Sequence, residues 1–187
     1  MIKVLFIIGS IRKWSFNKEL AKAAAALLQG KAEVRYIDYS QIPHMNQDIE
    51  FPAPEIVARI REEVFWSDGI WIFSPEYNHS YPGVLKNLLD WLSRPVVYNG
   101  SRYDSPLVSK PVTISSVTRR GRGAGCRTKL VNLLETLKMD VMSVPTTSVH
   151  ISQEALSIDQ LSLSKNDCLY LAIQAKAFIH KLTYLKR

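Results

Sequence analysis

Apolar and polar positions along this chain alternate between two periods. Short β-branched and aromatic runs occupy 3–9 (KVLFIIG), 32–38 (AEVRYID), 69–74 (GIWIFS) and 111–116 (PVTISS), with a less regular one at 144–150 (VPTTSVH). Between them lie helical patterns at 17–28, 54–66, 83–93, 125–138 and 165–185. Leu85, Leu88, Leu89 and Leu92 fall on one helical stripe. In the last helix Cys168, Leu171, Ala175, Phe178 and Leu182 step in the same way. Stripes of this kind face a core.

Strands alternating with helices of this length predict βαβ units and a parallel sheet covered on both faces. The element order predicts an α/β, doubly wound, flavodoxin-like fold: five parallel strands in the order 2-1-3-4-5 with helices on both faces. The 187 residues are read as a single domain, 1–187, without repeats or low-complexity tracts. The least regular stretch, 94–110, carries turn residues at Asn99–Gly100 and Ser105–Pro106 and reads as a surface excursion or interface loop.

Composition adds little to this: 47% hydrophobic and 22% charged residues are ordinary for a globular chain. No apolar stretch approaches the roughly 18 residues of a membrane span. The VLFII start is too short for a signal-peptide core and lacks a cleavage site, so a cytoplasmic protein is expected. Cys126 and Cys168 supply no disulfide framework and read as small core or helix-face residues. The net charge of +7 does change the picture. It favours anionic small molecules and leaves nucleic acid open, although the basic residues are scattered except at 118–127, TRRGRGAGCR.

Ligands of open α/β sheets bind outside the carboxyl ends of the strands, so the loops after strands 1, 3 and 4 are the candidates. The first, GSIRKWSFN (9–17), places Ser10, Arg12, Ser15 and Asn17 ahead of a helix N-terminus. Hydroxyls, an amide, a guanidinium and free helix N–H groups together suit phosphate. Helix capping by Ser15 or Asn17 is the competing explanation. Gly9 stands alone, which speaks against a dinucleotide pyrophosphate here. There is no Gly-Lys-Ser/Thr of a nucleotide-triphosphate loop, and no cysteine of a phosphatase loop. A monophosphate fits best.

The loop after strand 3, SPEYNHSYPG (74–83), is bracketed by Pro75 and Pro82–Gly83. Glu76, Tyr77, Asn78 and His79 offer stacking area and hydrogen bonds for a planar heteroaromatic, or form a plain turn with a surface tyrosine. His79 reads as a loop histidine, and no residues at metal-ligand spacing accompany it.

Together, GSIRKWSFNKELA and SPEYNHSYPGVLKNLLDWLSR resemble the NADPH-dependent FMN reductase family, flavodoxin-like proteins that include quinone, azo-dye and chromate reductases. The resemblance runs over essentially the whole chain. It implies that Ser10, Arg12, Ser15, Phe16 and Asn17 hold the FMN phosphate. It further implies that Pro75, Glu76, Tyr77 and Asn78 line the ring and ribityl, and that Ser115 and Ser116 lead into a turn over the other side of the ring. The implied activity is ping-pong hydride transfer from NADPH to FMN and on to a quinone or similar small acceptor, with no side chain required as acid or base. A homodimer, or a dimer of dimers, is implied as well. Trp91, Tyr98, Tyr103 and the 94–110 excursion are expected to form an apolar surface, with Asp90 and Arg94 close to the contact.

The arginines at 119, 120 and 122 depart from the small neutral turn of the family. They are read as a grip for the 2′-phosphate of NADPH, as a nucleic-acid contact, or as a solvated basic loop. Two rivals to a reductase stand beside it. One is a flavodoxin-like electron carrier, which the positive charge and the missing second glycine of the phosphate loop disfavour. The other is a flavin-binding adaptor resting on the arginine loop. Membrane contact is not expected, and nucleic acid is the weaker partner.

Overall fold

In the computed structural model, which describes residues 1–119 and 121–186, five parallel strands pair in the order β2-β1-β3-β4-β5. They are β1 (Ile2–Ile8), β2 (Ala32–Tyr36), β3 (Gly69–Phe73), β4 (Pro111–Thr118) and β5 (Asp140–His150). The helices are α1 (Phe16–Leu28), α2 (Glu55–Trp66), α3 (Gly83–Leu92), α4 (Ala124–Thr136), α5 (Gln153–Ile158) and α6 (Lys165–Leu185). The predicted fold class, strand order and two-sided cover are all present. None of the described helices is long and apolar enough to cross a membrane.

The apolar runs divide by alternation into two cores, because successive strand side chains point to opposite faces. Val4, Phe6, Trp71, Phe73 and Val117 meet Leu20 and Ala24 of α1 and Leu171, Phe178 and Leu182 of α6. Leu5, Ile7, Ile70, Ile72 and Ile114 meet Ile60 and Val64 of α2, the leucine stripe of α3, and Leu130 and Leu134 of α4. Burial on both faces is why these strands read as continuous apolar runs.

Three details differ from the sequence expectations. Trp91, expected on an exposed apolar surface, is fully buried, with its indole N–H donating to the Pro43 carbonyl at 2.8 Å. Cys168, placed on the core stripe of α6, is exposed, because the buried face of that helix begins only at Leu171. The last strand starts earlier than predicted and bulges. Thr113 pairs with Met142, but Ser115, only two residues on, pairs with Thr147. Gln174 of α6 fills the gap in hydrogen bonding, its amide donating to the Ile114 carbonyl at 2.9 Å and to Thr113 Oγ1 at 2.8 Å.

Candidate functional site

The carboxyl ends of β1, β3 and β4 bring all three candidate loops to one edge of the sheet. Gly9 lets the first two abut: its N–H donates to the Phe73 carbonyl at 2.7 Å. A Cβ there would meet the Ser74 Cα at 3.2 Å and Oγ at 3.1 Å, tighter than ordinary van der Waals contact, so Ser74 would have to give way by a few tenths of an ångström.

Beyond Gly9 the chain reaches Ser15, which sits at the N-cap of α1 in extended conformation and is buried, yet its side chain makes no capping bond. Capping therefore does not account for this hydroxyl. The first turn of α1 keeps its outward N–H groups and positive dipole end beside it. Phe16 anchors the same turn in the core. Asn17 is different from what was expected. Its side-chain Oδ1 accepts the Val117 N–H at 3.0 Å, and its Nδ2 donates to the Val117 carbonyl at 3.3 Å. The amide replaces a strand residue beside the free end of β4, so it fixes the loop, and only its backbone is left to face a ligand.

Arg12 is half-exposed. One nitrogen of its guanidinium donates to both Asp159 oxygens at 2.5 Å and the other to the Trp14 carbonyl. The Asp159 hydrogen bond is the main reason its pKa rises further above the ordinary arginine value. Nothing in the local sequence announces Asp159, which lies 147 positions away at the end of α5.

The loop after β3 closes with a two-residue turn. Tyr77 and Ser80 exchange both backbone hydrogen bonds at 2.9 Å, and Asn78 and His79 take φ of 52° and 57°. Two positive φ values in succession match a type I′ turn, which asparagine tolerates well. This turn leaves the Tyr77 ring half-exposed above a cavity of about 290 Å³ lined by Ser10, Arg12, Tyr77, Pro82 and Gly83. The cavity thus joins the polar loop after β1 to the aromatic loop after β3. Pro75 enters this turn, with its carbonyl accepting from Ser74 Oγ at 2.9 Å.

Glu76 was expected to line the ring of a ligand. Its carboxylate is instead largely buried and accepts the Cys126 N–H, in the first turn of α4, at 2.8 Å. His79 Nδ1 lies 3.6 Å from the same carboxylate. Gly125 suits this contact, since a Cβ would come to 3.1 Å from the His79 carbonyl and 3.3 Å from the Glu76 carboxylate. Glu76 therefore ties the loops after β3 and β4 to each other. The Cys126 thiol is buried against Ser74 Oγ at 3.4 Å, and burial pushes its pKa up, which does not suit a nucleophile.

After β4 the two serines part. Ser115 faces the α6 side, where its hydroxyl accepts from the Trp71 indole N–H and donates to Gln174 Oε1, both at 2.9 Å. It belongs to the core, contrary to the expectation that it meets a ligand. Ser116 Oγ, on the opposite face, is buried without a hydrogen-bond partner. It packs beneath Gly123, where a Cβ would come within 3.0 Å of it. Gly121, Arg122 and Gly123 all have positive φ, and the Arg122 carbonyl is held by Arg127 and Ser148. Arg119 and Arg122 are exposed, while Arg120 lies outside the described residues. Ser10, Arg12 and Tyr77 on one cavity, with the non-capping hydroxyl of Ser15 in the same loop as the first two, form a set that fits a phosphorylated aromatic ligand.

Comparison with known proteins places relatives along most of the chain. The profile of NADPH-dependent FMN reductases matches residues 2–154. The chain is 37% identical over 151 residues to the quinone reductase of Escherichia coli strain K12, covering 77% of this chain and 75% of that protein. It is 42% identical over 94 residues to a 2-hydroxy-1,4-benzoquinone reductase of a Burkholderia species, spanning 50% of this chain and 51% of that protein. The fold superposes on FerB, a flavoenzyme NAD(P)H:(acceptor) oxidoreductase from Paracoccus denitrificans, with a TM-score of 0.85 at 29% identity and 98% of each chain covered.

Proposed function

Because the chain belongs to the NADPH-dependent FMN reductase family, we propose that its own FMN phosphate is held at the start of α1 by Ser10, Arg12, Ser15 and the backbone of Phe16 and Asn17. The enzyme is an FMN-dependent oxidoreductase drawing on NADPH. When bound, FMN would supply the hydride chemistry between NADPH and a second substrate, with a ping-pong cycle as our reading. A quinone is the acceptor class we assign, on the strength of the quinone reductases among its relatives.

The residues of this chain bind and orient. Tyr77 and Pro82 form the apolar wall for the ring. The Asn78 turn presents backbone groups to the ring edge. Glu76 holds the two covering loops in register without touching the reacting atoms. No side chain is assigned as a proton donor or acceptor. A homodimer is part of the same reading, supported by the exposed aromatic rings of Tyr98 and Tyr103. A cytoplasmic setting fits the two free thiols.

The observation that carries the reading is the cavity shared by Ser10, Arg12 and Tyr77, which joins the loop after β1 to the loop after β3. Titration of the purified chain with FMN and with riboflavin tests it. FMN binding much more tightly than riboflavin, with the difference lost in Arg12→Ala and Ser15→Ala, is the expected result. Equal affinity for the two flavins would overturn it.

A further inference from the structure

We propose that a second cleft, between the ends of β1 and β2, receives the adenosine end of NADPH, with Lys13 and Lys18 gripping its 2′-phosphate. The proposal rests on the FMN reading of the neighbouring cavity. The cleft encloses about 350 Å³. Its apolar lining is Ile8, Ile37 and Tyr39, and the Tyr39 hydroxyl already donates to the Ile8 carbonyl at 2.5 Å. These residues give the cleft an apolar floor, the kind of lining a purine needs. The exposed Tyr36 forms a further wall.

The rim carries the charge. Arg12, Lys13 and Lys18 stand against a single carboxylate, Asp38. Asp38 is already engaged, accepting the Ser40 N–H at 3.0 Å, and that bond is the main reason its pKa is lowered. Lys18 acts on Asp38 only through the lesser influence of its charge. Lys13 Nζ lies only over the Trp14 ring, 5.1 Å from its centroid, and among the described residues no ion pair engages Lys13 or Lys18. Arg12 is already assigned to the FMN phosphate, so the discriminating charges are the two lysines.

Position links this cleft to hydride transfer. Ser10, Ile11 and Arg12 line both it and the cavity under Tyr77, so the two lie back to back across one loop. A coenzyme long enough to cross that loop presents its nicotinamide on one side and its adenosine on the other. A 2′-phosphate is the group that distinguishes NADPH from NADH, and a basic rim rewards it. Of the alternative grip after β4, Arg119 and Arg122 are exposed but line neither this cleft nor the cavity under Tyr77.

The double variant Lys13→Ala/Lys18→Ala tests the assignment; both side chains are exposed, so the fold is expected to survive. Calorimetry with 2′,5′-ADP and with 5′-AMP reads the cleft directly. On the unaltered chain 2′,5′-ADP should bind the more tightly. In the double variant its affinity should fall by about tenfold or more, the size of one or two lost charge-assisted contacts. The KM for NADPH should rise alongside, with FMN affinity and the KM for NADH unchanged. Unchanged 2′,5′-ADP affinity, or a loss produced by Arg119→Ala/Arg122→Ala in place of the lysine variant, would overturn the proposal. Failure of the FMN reading is visible separately, because FMN titration and 2′,5′-ADP titration are independent measurements.

Discussion

The side-chain amide of Asn17 and the backbone of Val117 are hydrogen-bonded in both directions, at 3.0 and 3.3 Å, joining the start of α1 to the end of β4. Replacing Asn17 by Ala strands a buried donor and acceptor. Asn17→Ala is therefore expected to lower the unfolding free energy by about 2 kcal/mol and to weaken FMN binding with it. The shift of the urea midpoint checks the first effect and flavin titration the second. A wild-type midpoint would show that the pairing contributes nothing.

Glu76 reaches the Cys126 N–H as an acceptor, and a neutral amide oxygen can do the same. Glu76→Gln should thus keep FMN affinity close to that of the parent. Glu76→Ala, which frees the first turn of α4, should weaken it by about tenfold. A Gln variant as impaired as the Ala variant would mean that the charge itself faces the ligand.

Gln174 completes the sheet where β5 bulges away, bonding Ile114, Thr113 and Ser115 at once. Gln174→Leu preserves the apolar volume but orphans these groups, at a cost of about 1–3 kcal/mol. Thermal unfolding should show a lower Tm while the bound-flavin spectrum stays the same. A Tm at or above that of the parent would contradict the role assigned to the amide.

Acid stability should depend on Asp68. Its burial opposes ionisation, but Lys186 and the Lys3 N–H outweigh that and hold its carboxyl below the usual carboxylate range. A depressed folded-state pKa gives stability that is present above the unfolded value of about 3.9 and lost as pH falls through the folded one. Asp68→Asn should flatten the acid limb of the stability curve below that value. An unchanged limb would assign acid unfolding to other carboxylates.

Much of this architecture was legible because the strands are buried on both faces and the helices are striped, so period alone separates them. The misreadings have local causes. Trp91 lies beside Asp90, Ser93 and Arg94, whose company suggested a surface, while its hydrogen bond reaches Pro43, 48 positions away. The early start of β5 was hidden by its bulge, whose residues 143–146 break the alternation. At the site, the loops were legible from residue types, but the division of labour within them was not. Which serine of the 115–116 pair faces the core follows from strand register. That Asn17 serves β4 and Glu76 serves α4 follows from contacts between distant elements, which no single motif encodes.

The most direct test of the central claim is anaerobic titration of the FMN-loaded protein with NADPH, followed by a quinone, monitored by the visible flavin absorbance. The account predicts that NADPH bleaches the flavin stoichiometrically and that the quinone restores it within enzymatic turnover times. A protein that binds FMN but whose flavin NADPH leaves unbleached would contradict it.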